Sequence, residues 1–151
     1  MATIKFKGID EYLRRLEALT MATDKFIGEA VYKGADVVAD ATKSALNTMP
    51  VDNRRKVSER RGILEVQRQG LVNSFGVAPL RDDNGFINVK TGFDGFNKIG
   101  QANVRVARQL ESGTSYMPKN RVISRATNRS KKACEEAMKK SLEGNIQKLM
   151  K

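Results

Sequence analysis

Residues 81–93 read RDDNGFINVKTGF. Asn84-Gly85 suits a turn that needs positive φ, and Ile87, Val89, Thr91 and Phe93 alternate with Asn88, Lys90 and Gly92 as one face of a strand should. The stretches Leu71 to Leu80 and Phe86 to Phe93 flank Arg81 to Gly85, so the segment predicts a β-hairpin. Asp82 and Asp83 are adjacent carboxylates, which could bind a metal or share a proton. Leading directly into Asn-Gly, they read instead as ordinary turn chemistry.

Most of the chain around this hairpin is helical in pattern or basic in composition. On its N-terminal side, Ile27, Ala30, Val31, Gly34, Val38, Ala41 and Ala45 form the strongest periodic stripe in the chain, with Thr23 as a candidate cap and Pro50 as the stop. Gly28 and Gly34 each cost about 1 kcal/mol relative to alanine inside a helix. Their presence predicts a tight contact with another backbone. Before this helix, Ile9, Tyr12, Leu13, Leu16 and Leu19 predict a first, separate short helix, and the alternating Thr3 to Lys7 a short edge strand closed by Gly8. Between Pro50 and the hairpin, Arg54, Arg55, Lys56, Arg60 and Arg61 sit among few large apolar residues, so 51–69 is expected to be a basic, mobile loop.

Past the hairpin, Val104, Ala107, Leu110 and Glu111 predict a brief helix closed by Gly113. A last long helix follows Pro118, with Ile123, Ala126, Ser130, Ala133, Ala137, Ser141 and Ile146 on its buried face and a Lys/Arg-rich opposite face. The order helix, helix, hairpin, helix, helix predicts an α+β fold: a small antiparallel sheet with a central β-hairpin packed by a long N-terminal and a long C-terminal helix. With 151 residues there is material for one domain with a single modest core, taken as 1–151.

Charge and residue types narrow the function. The formal charge is +11, and residues 119–151 carry ten basic residues against three acidic, whereas residues 1–50 carry seven of each. Such asymmetry favours contact with nucleic acid or an acidic protein surface. The loop 54–61 and the set Arg121, Arg125, Arg129, Lys131 and Lys132 could each follow a phosphate backbone. Aromatic residues are not interleaved with them, so base stacking is not expected. The chain has no histidine and one cysteine, Cys134, which reads as a small buried thiol. No glycine-rich phosphate loop precedes a Lys-Ser or Lys-Thr pair. Catalysis, a metal, a cofactor and a small-molecule substrate are therefore not expected. Asp94 and Glu111 are isolated acids, expected to pair with arginines across a subunit contact. No apolar run is long enough to cross a bilayer and the N-terminus lacks a secretory layout, so a soluble, unexported chain is expected.

Several short motifs, in order, resemble the small tail-component and head-to-tail joining proteins of long-tailed bacteriophages and their prophages. The opening Ile4-Lys5-Phe6-Lys7-Gly8-Ile9-Asp10-Glu11-Tyr12-Leu13 looks like the family's start, and the helix with Ala30, Gly34, Ala35 and Val38 follows it. Gly70-Leu71-Val72-Asn73-Ser74 is similar to the family's Gly-Leu-x-x-Ser segment, and Val89 to Asp94 to its second hairpin strand. Glu111-Ser112-Gly113-Thr114 resembles the family's Glu-x-Gly-Thr turn, here followed by Met117-Pro118 and by Val122 where the family often has phenylalanine. The resemblance implies a structural virion protein of the neck or tail, with no enzymatic activity, that joins or completes the tail at the head–tail interface by forming a ring, expected to be a hexamer. It implies that the hairpin and segment 102–116, including Arg108, Glu111, Gly113 and Thr114, carry subunit contacts. The loop with Arg54, Arg55, Lys56, Arg60 and Arg61 would be ordered by a neighbour. Implied partners are other copies, the adjoining head-completion or tail-tube proteins and, non-specifically, phage DNA. The other reading is a basic nucleic-acid-binding accessory protein.

Overall fold

The computed structural model describes residues 9–151. The strand expected at Thr3 to Lys7 lies outside them. Helix α1 spans Ile9–Thr48 without interruption, about 60 Å of helix at 1.5 Å per residue. Two helices were expected here, and the structure has one. Thr23 is no cap: its Oγ1 donates to the Leu19 carbonyl at 2.7 Å, and Thr20 does the same to Leu16 at 3.0 Å. Both hydroxyls return to their own helix, which leaves no break between Leu19 and Thr23 for a second N-terminus. The helix does stop ahead of Pro50, which lacks an N–H and disfavours helical geometry in the residue before it.

Residues 51–69 differ from expectation in two ways. Residues from Glu65 onward are helical, in α2 (Glu65–Ser74), and the rest is a folded loop with one 3-10 turn at Val57–Glu59. Gln67 Oε1 accepts the Leu64 backbone N–H at 2.8 Å, satisfying one of the free donors at the start of α2. A short helix with a weakly apolar face leaves little periodic signal, because Leu71 alone among its residues is buried.

Four short strands follow: β1 (Phe75–Val77), β2 (Arg81–Asp83), β3 (Phe86–Asn88) and β4 (Thr91–Phe93). They form two nested antiparallel pairs, β1 with β4 in the register Phe75↔Phe93 and β2 with β3 in the register Asp83↔Phe86. The Ala78 N–H bond to the Lys90 carbonyl at 2.7 Å links the two ladders. The hairpin is therefore present, but Leu71 to Ser74 belongs to α2 and the expected five-residue turn tightens to Asn84-Gly85. Both of these residues have positive φ, 56° and 88°, as a primed two-residue turn requires. Asp82 Oδ1 accepts the Gly85 N–H at 2.7 Å, and Asp83 Oδ2 accepts from Asn88 at 2.8 Å, so both acids serve the turn. The hairpin is held to α1 by the Leu80 N–H donating to the Tyr32 hydroxyl at 2.9 Å, and by Leu80 packing over Gly28.

Helices α3 (Asn103–Ser112) and α4 (Val122–Met150) complete the chain. The architecture is α+β, with α4 lying antiparallel along α1. Gly34 marks a close contact between them, since a Cβ there would sit 2.6 Å from Met138 Cγ and 2.9 Å from Cys134 Sγ. The tight contact expected at Gly34 exists, made by side chains rather than by a second backbone. It also shifts the buried face of α4. Ser130 is followed inward by Cys134 and Met138, while Ala133 is exposed. Steps of four from Ser130 reach the Gly34 notch, so of the positions expected on the buried face Ala133 falls outside it, while Ala137, Ser141 and Ile146 are half-buried. The main core lies at the other end of α1, where Leu46 and Met49 meet Ile63, Leu71, Val106, Leu110, Met117 and Val122. Among the described residues no helix is long and apolar enough to cross a membrane.

Candidate functional site

The two segments expected to carry contacts come together at the core end of the domain. Loop 51–64 is folded around one carboxylate. Asp52 accepts from Arg54 Nε at 2.9 Å, from Arg54 Nη2 at 2.6 Å and from the Arg61 backbone N–H at 2.9 Å. These bonds hold the Asp52 carboxyl far below the ordinary carboxylate range, Arg54 contributing most, and the same pair raises the Arg54 guanidinium above its ordinary value. Arg60 donates to the Arg54 and Arg55 carbonyls, and Arg61 Nη1 reaches across to the Tyr116 carbonyl at 2.9 Å. Arg54 and Arg60 are thus staples of the loop itself, and Arg61 ties it to the turn before α4. Lys56 faces Glu59 at 3.4 Å on the surface. Arg55 and Arg108 are exposed and have no acidic partner among the described residues.

Opposite this loop, the segment resembling a Glu-x-Gly-Thr turn is a joint between α3 and α4. The Glu111 carboxylate accepts the Ile123 N–H at 2.8 Å, and also bonds the Ser124 N–H and hydroxyl. It therefore caps the first turn of α4, where exposed N–H groups and the helix dipole favour an anion. An arginine across a subunit contact is not needed to explain it. Asp94 is likewise engaged locally, with Oδ1 accepting the Gly95 N–H at 2.7 Å. Gly113 has φ 79° and ψ 173°, and a Cβ there would lie 2.8 Å from the Lys119 nitrogen. Thr114 closes the turn, its N–H donating to the Met117 carbonyl at 2.8 Å while its Oγ1 accepts the Met117 N–H at 3.1 Å.

Two surfaces were not anticipated from the sequence. The first is the loop between β4 and α3, closed by the Phe96–Ala102 bridge, which leaves Phe96, Ile99 and Val104 exposed. Asn103 anchors it from below through its Nδ2 bond to the Asp94 carbonyl at 2.8 Å, with its buried Oδ1 facing Gly70. The second is a groove of about 990 Å³ between α1 and α4, from Glu29 and Lys148 to Asp40 and Ala137, which shares Val37 with a further 650 Å³ reaching Met49 and Val122. A run of exposed apolar residues is the signal that could have marked the first. The second needs two helices in register and has no local signature.

Among the described residues no three His, Cys, Asp or Glu side chains gather to hold a metal ion. Burial, with a smaller contribution from Glu135, pushes the Cys134 thiol up, away from the thiolate a nucleophile needs. No family model, curated protein or solved structure matches this chain.

Proposed function

We propose that this chain is a structural, non-enzymatic subunit of a tailed bacteriophage particle, which joins or completes the tail at the head–tail interface by assembling into an oligomeric ring. The observation that carries this reading is the uncovered apolar loop before α3, where Phe96 is 74% exposed and Ile99 51%. Scattered single apolar residues on a surface are ordinary, whereas several in one short loop favour association. The ordered motifs that resemble joining proteins support the same reading, and Arg108 lies exposed on α3, beyond that loop. In this reading the partners are other copies, six being the expected ring, together with the adjoining head-completion or tail-tube proteins. The protein would reside in the virion neck or tail, and in the bacterial host cytoplasm before assembly.

A second reading, a basic nucleic-acid-binding accessory protein, is favoured by one observation: Arg121, Arg125, Arg129, Lys132 and Lys139 are all exposed on or beside α4. Backbone contact of this kind falls steeply with salt. The test is the mass in solution by light scattering on a sizing column, at low and physiological salt, with and without duplex DNA. A DNA-independent closed oligomer near six subunits supports the ring. A monomer that binds DNA and releases it in salt favours the second reading instead.

A further inference from the structure

We infer that the first three turns of α4, rather than the basic loop 51–64, hold the phosphate backbone of duplex DNA. The inference deepens the proposed function by assigning the surface on which its DNA partner lies, and rests on that reading for the DNA being that of the phage. Arg121, Arg125, Arg129 and Lys132 follow one another at steps of four and three, so they stand in one row along the helix, about 16 Å from end to end. All four are exposed, and among the described residues none has a carboxylate within ion-pair distance. Arg125 also bonds the Asn120 side chain and the Arg121 carbonyl, which leaves Arg121, Arg129 and Lys132 wholly free to meet a ligand.

The surroundings do little to offset this charge. Between Asp94 and Glu135 the sequence has a single acid, Glu111, and its carboxylate is turned onto the Ile123 and Ser124 N–H groups. On the α1 side, Ala41, Ser44 and Ala45 lie across from Arg125 and Arg129, whereas Asp36 and Asp40 lie farther along, where the groove passes Ala137 and Lys140. Glu135 and Glu136 end the row. Its chemistry selects phosphates over an acidic protein surface. The other exposed side chains from 121 to 133 are Ser124, Thr127, Asn128, Lys131 and Ala133. None is a large apolar or aromatic group of the kind that anchors the centre of a protein interface. Hydroxyl, amide and cationic donors are what bind phosphate oxygens. With no aromatic side chain for an unpaired base to stack on, duplex is favoured over single strand. The loop is different: Arg54 is ion-paired with Asp52 and Lys56 with Glu59, while Arg60 and Arg61 point at carbonyls of the chain itself. Only Arg55 of its five cations is left facing outward without a partner among the described residues.

The test measures binding of the full-length protein to a short duplex of mixed sequence by fluorescence anisotropy across a salt series, with the oligomer sized in parallel. Three to four phosphate contacts per bound subunit predict an affinity that falls roughly 40- to 150-fold for a fourfold rise in salt. Arg129→Gln/Lys132→Gln removes two of them, so the slope of log affinity against log salt should drop by about 1.8. Arg129→Lys/Lys132→Arg should keep the wild-type slope, which separates lost charge from a folding defect. Arg55→Gln/Lys56→Gln, in the loop, should keep it too. Absence of salt-dependent binding, or a slope that falls as much for the loop variant as for the α4 variant, overturns the surface, and leaves the ring standing if the protein is a closed oligomer. A monomer whose slope falls only with the α4 variant upholds the surface and overturns the ring.

Discussion

Replacing Gly113 by alanine should be among the most damaging single-methyl additions available in this chain. Its φ of 79° with ψ of 173° lies in a region that side-chain-bearing residues avoid, worth about 1–3 kcal/mol of strain. The added Cβ would also press to 2.8 Å on the Lys119 nitrogen and 3.1 Å on the Met117 carbonyl oxygen, both backbone atoms. Relief requires the turn to open, at the expense of the Thr114 N–H bond to Met117, about 1 kcal/mol more. The total is about 2–4 kcal/mol, a large part of the 5–15 kcal/mol typical of a domain. With a urea slope of about 2 kcal/mol/M the midpoint falls by roughly 1–2 M at unchanged slope. Gly144→Ala is the matched control, because it lies inside α4 with nothing within 4 Å of its Cβ, and should gain about 0.5–1 kcal/mol. If Gly113→Ala moves the midpoint by less than its experimental error, the turn does not need this backbone geometry and the account of the α3–α4 joint is wrong.

Three further outcomes follow from the same contacts. Glu111→Ala removes the carboxylate that caps α4, and should cost about 1–2 kcal/mol in thermal or urea unfolding, with Arg108→Ala nearly silent by comparison. Asp52 is more acidic folded than unfolded, so its stabilisation is complete above its ordinary value of 3.8 and is lost as pH falls through the lower folded value. The melting difference between wild type and Asp52→Asn should therefore be constant near neutrality and shrink in strong acid, while trypsin at neutral pH cuts the variant faster at Arg54, Arg55, Arg60 and Arg61. Because burial raises the Cys134 thiol, a disulfide reagent at pH 8 should label it much more slowly than an exposed Thr20→Cys. Equal rates would show that the α1–α4 contact at Gly34 opens freely.

Local chemistry was legible where a few neighbouring residues suffice to decide the backbone. Asn84-Gly85 specified a turn with two positive φ values, Gly113 a helix stop, and Pro50 the end of α1, since each acts through its own covalent geometry. The join between the two expected N-terminal helices was not legible, because a threonine can cap a new helix or bond back into an old one. Only the continuing helix decides which. Helix α2 was missed for the opposite reason: its single buried residue, Leu71, leaves no period to read.

The candidate site divides in the same way. Which residues are basic, that the chain lacks histidine, and that its charge lies toward the C-terminus were all determined by sequence alone, because composition needs no geometry. That Arg54 binds Asp52, that Arg60 bonds the loop's own carbonyls and Arg61 the Tyr116 carbonyl, and that Glu111 caps α4, required the tertiary structure. A long charged side chain reaches partners far away in sequence as easily as near ones: Arg61 reaches Tyr116, and Glu111 reaches Ile123. The groove between α1 and α4 is likewise a property of two helices brought together at Gly34, and neither helix carries it alone.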